Sequence, residues 1–148
     1  MTIGGGCRCG AVRYTLALDD LPPTYACHCT DCQTWSGSAF SQQAVVAEGA
    51  LEAAGPIAIF ELRSPSGRVS RQRMCELCHT RVFNMNSARP GVAVVRAGTL
   101  DRSNELRVTA HIWTRSKQPW LDLPAGVPSR VEAPPPEEMA KALRSSRK

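Results

Sequence analysis

The strongest constraint on this chain is where its cysteines stand. All seven fall in three short groups: Cys7-Arg8-Cys9, Cys27-His28-Cys29-Thr30-Asp31-Cys32 and Cys75-Glu76-Leu77-Cys78. Grouped spacings of this kind, in a chain with no secretory signal, read as metal ligation rather than as disulfides. The opening Met1-Thr2-Ile3-Gly4-Gly5-Gly6 has neither a charged n-region nor an apolar h-region, so no export signal is read there. No apolar run approaches the roughly 20 residues of a membrane span. The expectation is a reducing, cytoplasmic setting in which the thiols stay free to bind metal.

The groups divide as two, three and two. The most economical partition assigns Cys7, Cys9, Cys75 and Cys78 to one closed Cys₄ zinc site. Such a site staples the N-terminal loop to a segment far along the chain, which constrains the unfolded state, so its role reads as structural. Cys27, Cys29 and Cys32 are then left as three thiols without an evident fourth partner. Thiolates are soft ligands that select zinc or iron–sulfur. A structural zinc site normally closes with four protein ligands, whereas three plus an open position suits a site that binds something further. Two zinc ions per chain are expected. The alternative is that all seven are structural, with the second cluster completed by exchange or by a histidine. His28, flanked by two ligands, reads as pointing away from the ion. His79, directly after Cys78, is the better histidine candidate, and His111 reads as a hydrogen-bonded core residue. Trp35, Trp113 and Trp120 read as core or rim packing.

The rest of the chain reads as short strands broken by glycine and proline. Gly4 to Gly10 is expected as a glycine-rich loop. Ala11 to Leu18 alternates, with Val12, Tyr14, Leu16 and Leu18 on one face, and reads as a half-buried strand. Thr24 to Ala26 delivers Cys27, and Thr30 to Trp35 is expected as one helical turn stopped by Gly37, with Thr30 and Asp31 as capping types. Further strands are expected over Ser38 to Ala47, Leu51 to Ala54 and Ile57 to Leu62. Ser64-Pro65-Ser66-Gly67 is a hairpin signal joining Ile57–Arg63 to Arg68–Met74, with Cys75 to Cys78 as a zinc knuckle at the end of its second arm. Strands over Val82 to Met85, Gly91 to Ala97 and Leu106 to Thr114 follow, and the segment around Pro119-Trp120-Leu121 is expected to wrap the sheet. The fold class expected is a mainly β, zinc-stabilised single domain over residues 1–133. Residues 134–148, after Pro134-Pro135-Pro136, are expected as a charged, flexible tail containing at most one frayed helix.

The chain has 148 residues and a net charge of +5. Part of that excess sits in the tail, as Lys141, Arg144, Arg147 and Lys148 against Glu137 and Glu138. The remainder is scattered, without a basic block or aromatic–basic interleaving, so a solvated basic surface is the reading preferred over nucleic-acid binding.

At its motifs the chain resembles the glutathione-dependent formaldehyde-activating (GFA) enzymes, also called the centromere protein V family. The matching stretches are Gly6-Cys7-Arg8-Cys9-Gly10-Ala11-Val12-Arg13-Tyr14, then Cys27-His28-Cys29-Thr30-Asp31-Cys32-Gln33 with Ser36-Gly37-Ser38-Ala39-Phe40. Cys75-Glu76-Leu77-Cys78-His79-Thr80 and the run from His111 to Trp120 complete them. The resemblance implies a β-tent fold of mainly antiparallel sheets. It also implies that Cys7, Cys9, Cys75 and Cys78 are structural and that Cys27, Cys29 and Cys32 are catalytic. One departure stands out: the family usually has glycine where this chain has His79, and a knuckle often needs positive φ there.

The function this resemblance implies is carbon–sulfur lyase chemistry, in which a zinc-activated glutathione thiolate adds to formaldehyde to give S-(hydroxymethyl)glutathione. A basic rim for the glutathione carboxylates is expected from among Arg8, Arg13, Arg81 and Arg115. Two further readings stand beside it: the same open zinc acting on another small thiol or aldehyde, and a non-catalytic zinc-stabilised module binding protein or nucleic acid.

Overall fold

The computed structural model describes residues 2–144, in which the chain forms ten strands and two helices. In chain order they are β1 (Ile3–Gly6), β2 (Arg13–Leu16), β3 (Thr24–Cys27), α1 (Thr30–Ser36), β4 (Ser41–Ala47), β5 (Leu51–Ala54), β6 (Ile57–Arg63), β7 (Val69–Cys75), β8 (Arg81–Asn86), β9 (Val92–Arg96), β10 (Val108–Ile112) and α2 (Pro136–Arg144). The expected mainly β class is what forms. No helix among the described residues is long and apolar enough to cross a membrane. The chain builds two compact units, each discontinuous in sequence: Met1–Pro22 with Ala44–Glu105, and Pro23–Gln43 with Leu106–Lys148.

The first unit holds two antiparallel arrays. β1, β2 and β5 form one, with Ile3 opposite Leu16 and Arg13 opposite Ala54. The alternation along β2 appears as read from sequence, with Val12, Tyr14 and Leu16 buried while Arg13 and Thr15 face water. The strand is shorter than the Ala11–Leu18 expected, because the Leu18 amide turns back onto the Leu16 carbonyl at 2.9 Å. The glycine run also differs from expectation: Gly4 to Gly6 belong to β1, and only the following residues form a loop. The reason is Tyr14, whose ring lies across Gly5. A Cβ on Gly5 would come within 2.2 Å of that ring. The Tyr14 hydroxyl is held by Thr99 Oγ1 at 2.8 Å.

The second array is the meander β6-β7-β8-β9. Its first hairpin turns at Ser64–Gly67 as the sequence predicts. Gly67 has φ +83, and its amide donates to the Ser64 carbonyl at 2.9 Å. The second arm runs directly into Cys75.

The second unit carries β3, α1, β10 and α2. Here β3 pairs with β10 in parallel, with Ile112 opposite Cys27 and His111 opposite Ala26. Parallel partners need a long crossover, and so much chain separates these two strands that no local signal could reveal the pairing. The sheets are mainly antiparallel as expected, and β3–β10 is the parallel exception. The segment after β10 returns to run beside it, with the His111 amide donating to the Pro128 carbonyl and the Arg130 amide to the His111 carbonyl. Helix α2 begins at Pro136, a residue preorganised for a first helical turn, and carries Glu137 and Glu138 early and Lys141 and Arg144 late, as the helix dipole favours. Its Met139 and Leu143, one turn apart, are buried. The stretch expected as a charged tail therefore contains a packed helix, while Arg147 and Lys148 lie outside the described residues.

Candidate metal centre

Two cysteine clusters form, with the membership the spacing predicts. In the first unit the sulfurs of Cys7, Cys9, Cys75 and Cys78 all lie within 4.8 Å of one another. Cys7 and Cys9 are 3.5 Å apart at sulfur, and Cys9 and Cys75 are 3.8 Å apart. The edge of a tetrahedron with zinc–sulfur bonds of about 2.3 Å is about 3.8 Å, so the donor set fits zinc. The Val12 amide donates to Cys7 Sγ at 3.2 Å. On the other side Thr80 Oγ1 stands 3.1 Å from Cys78 Sγ and accepts from the Arg8 amide. That Thr80 contact, followed by nearby amides, draws the Cys78 thiol down to about 5. The knuckle closes through the His79 amide on the Cys75 carbonyl, 2.9 Å, with His79 itself at φ +58. The positive φ anticipated at this position is present, borne by a histidine, and the knuckle keeps its geometry. His79 is exposed and is not a member of the donor cluster.

In the second unit the sulfurs of Cys27, Cys29 and Cys32 also lie within 4.8 Å of one another, and among the described residues no fourth cysteine, histidine or carboxylate joins them. Cys27 ends β3 and is buried, whereas Cys29 and Cys32 are half-buried. The helical turn expected from Thr30 becomes α1. Its cap is Cys29, whose sulfur accepts the Cys32 amide at 3.4 Å; Gly37 ends it in the left-handed conformation. The cap therefore differs from the Thr30 or Asp31 expected, because the sulfur is already oriented at the helix start by the metal-type loop. Cys27 and Cys29 are 3.4 Å apart at sulfur. Hydrogen bonds from the Cys27 and Cys32 thiols, joined by the Cys32 and Asp31 amides, pull the Cys29 thiol down to about 2. The same sharing, with Cys29 foremost, pushes the Cys27 thiol up. A negative, proton-sharing trio of soft donors is what a zinc ion displaces protons from.

Several residues that hold this trio carry no spacing signal in the sequence. Gln43 is buried and donates Nε2 to Cys32 Sγ at 3.4 Å, while its Oε1 accepts the Tyr25 hydroxyl at 2.6 Å. Gln33 donates Nε2 to the carbonyls of His28 and Ser116, at 2.7 and 2.8 Å, and its Oε1 accepts from Gln118 Nε2 at 2.6 Å. Gln33 and Gln118 lie within family-like runs, but only the fold shows that they clamp the loop. His28 is fully buried, with Nε2 2.9 Å from His111 Nδ1, so it points away from the sulfurs as expected. His111 is buried on β10, as a core histidine. Burial, then the charges of His111 and Lys117, hold His28 down at about 4; burial likewise lowers His111.

Of the arginines offered for a basic rim, Arg115 lies in the unit that carries the open trio, paired with Glu132. Arg8, Arg13 and Arg81 belong to the first unit, where Arg13 binds Asp101 and Arg81 binds Gln72. Trp35 and Trp113 are half-buried, whereas Trp120 is 71% exposed. With Gln33, Gly37, Ser38, Ala39 and Gln118, Trp120 borders an open hollow of about 390 Å³.

No curated protein matches the chain's sequence. A crystal structure of a Rhodobacter sphaeroides protein is similar in fold, with a TM-score of 0.54 at 17% identity, over 71% of this chain and 96% of that one. The family whose sequence profile matches is the glutathione-dependent formaldehyde-activating enzyme, over residues 2–116. That match spans both cysteine clusters, Gln33 and β10, so by sequence the chain belongs to the glutathione-dependent formaldehyde-activating enzyme family.

Proposed function

We propose that the protein joins glutathione, or a closely similar small thiol, to formaldehyde at Cys27, Cys29 and Cys32, with zinc bound there and in the four-cysteine cluster. In the net reaction a carbon–sulfur bond forms and the thiol proton ends on the former carbonyl oxygen, giving S-(hydroxymethyl)glutathione. The reverse direction breaks the same bond, which makes the enzyme a carbon–sulfur lyase. A zinc ion held by Cys27, Cys29 and Cys32 would supply the Lewis acidity that makes a bound thiol acidic near neutral pH. A reducing compartment such as the cytoplasm keeps the seven thiols available for this.

The chain's own contributions are positional. Cys29 and Cys32 are half-buried and Cys27 is buried, and the next residue, His28, is anchored on His111. Gln43 supports Cys32, and Gln33 fixes the loop between Cys29 and the residues after β10. The hollow bordered by Gln33, Gln118 and Trp120 combines polar side chains with an exposed indole, a lining that suits a small peptide-like thiol.

The observation that carries this reading is the trio of sulfurs within 4.8 Å that gains no fourth protein donor among the described residues. Adduct formation from glutathione and formaldehyde, followed with zinc-loaded protein, tests it. A rate above the uncatalysed one that disappears in Cys29→Ser, with the fold retained, is expected. A rate no faster than the uncatalysed one would sink the specific reaction.

A further inference from the structure

The second unit contains a pocket of about 370 Å³ on the side of β10 that α2 covers. One wall is family-like strand, formed by Ala110 and Ile112. The other wall comes from Pro128 and Met139, which lie beyond the family match at residue 116. These side chains make the interior apolar. At the rim Arg130 and Glu138 hold each other in an ion pair of 2.8 Å, so their charges offset. Lys141 also lines the pocket, and its ammonium makes no hydrogen bond or ion pair with the described residues. The volume suits a small molecule and is too small for a folded partner. Apolar walls with one uncompensated cation favour a ligand with an apolar body and a single negative charge.

We propose that this pocket is a binding site for a small amphipathic monoanion, of the medium-chain carboxylate class, whose hydrocarbon lies against Ala110, Ile112 and Met139 while its carboxylate meets Lys141. It contains none of the three thiols, although His111, which contacts His28, also lines it, and it needs neither zinc nor glutathione to be measured.

Octanoate is the probe, titrated into the full chain and followed by methyl resonances of Met139 and Ala110. Saturable one-to-one shifts at those methyls are expected, with octanol binding more weakly than octanoate. Lys141→Met is expected to weaken octanoate by about tenfold and leave octanol unchanged, with Lys141→Arg retaining octanoate. Lys141 is exposed, so neither substitution endangers the fold. Absence of saturable shifts at these methyls, or octanoate binding that is no tighter than octanol and indifferent to Lys141→Met, would overturn the proposal.

Discussion

His28 and His111, both buried, meet through Nε2 and Nδ1 at 2.9 Å and so tie the loop of the three-thiol cluster to β10. Their outer ring nitrogens, Nδ1 of His28 and Nε2 of His111, have no hydrogen-bond partner among the described residues. Charging either ring inside this contact is therefore costly.

A pH dependence of stability follows. His28 titrates near 4 when folded, mainly because it is buried, against an ordinary value of 6.5. Between those values the unfolded chain binds the proton that the folded chain refuses. Stability is thus complete above pH 6.5 and falls as the pH drops towards 4, by about 3 kcal/mol at most for this group. Urea midpoints at pH 7.0, 5.5 and 4.5, with released zinc measured alongside, will show the slope. In His28→Gln the slope should flatten; an unchanged slope would assign the loss to the thiols instead.

The two cysteine clusters predict opposite responses to the same substitution. Cys75 is wholly buried in the four-sulfur cluster, so Cys75→Ser is expected to lower thermal stability by several degrees or abolish folding. Cys29→Ser is expected to cost at least about a hundredfold in adduct formation, since a ligand is lost, while circular dichroism stays unchanged. Equal destabilisation by the two would argue that both clusters are structural.

Metal content gives a separate count. Elemental analysis is expected to find two zinc ions per chain, falling to one in Cys29→Ser. A chelator should remove the ion of the half-buried trio before that of the four-cysteine cluster, because three protein ligands release metal faster than four.

His79 stands at φ +58, a conformation costing about 1 kcal/mol or more for a residue with a Cβ. Replacing it by glycine should raise stability by roughly 1 kcal/mol, a shift of about 2–4 °C in Tm. Calorimetry on zinc-loaded protein measures it; a lower Tm would mean the histidine contributes a contact beyond its backbone.

Gly5 faces the Tyr14 ring so closely that a methyl group would sit 2.2 Å from it. Gly5→Ala is expected to lower stability by about 1–3 kcal/mol through overpacking. Gly10, with open space at its Cβ position, is limited instead by its φ of +80, so Gly10→Asn should cost less than Gly10→Val.

Which sulfurs come together, where α1 begins and ends, where the Ser64–Gly67 hairpin turns and which face of β2 is buried were all legible in the chain. Each depends on neighbours a few residues apart or on the demand of a metal for four or three soft donors. The resemblance to a family that usually has glycine at position 79 points to positive φ there, and His79 adopts it.

Other features were decided only by the tertiary structure. Nothing local indicates that β3 and β10 pair in parallel, that Gln43 reaches Cys32, that Gln33 bridges two carbonyls from distant parts of the chain, or that the charged C-terminal stretch buries Met139 and Leu143. Those contacts join residues far apart along the chain, and their energies exist only after loop closure has brought the partners within reach. Local composition can name the ligands of a metal; it cannot say which amide, carbonyl or helix face will arrive to hold them.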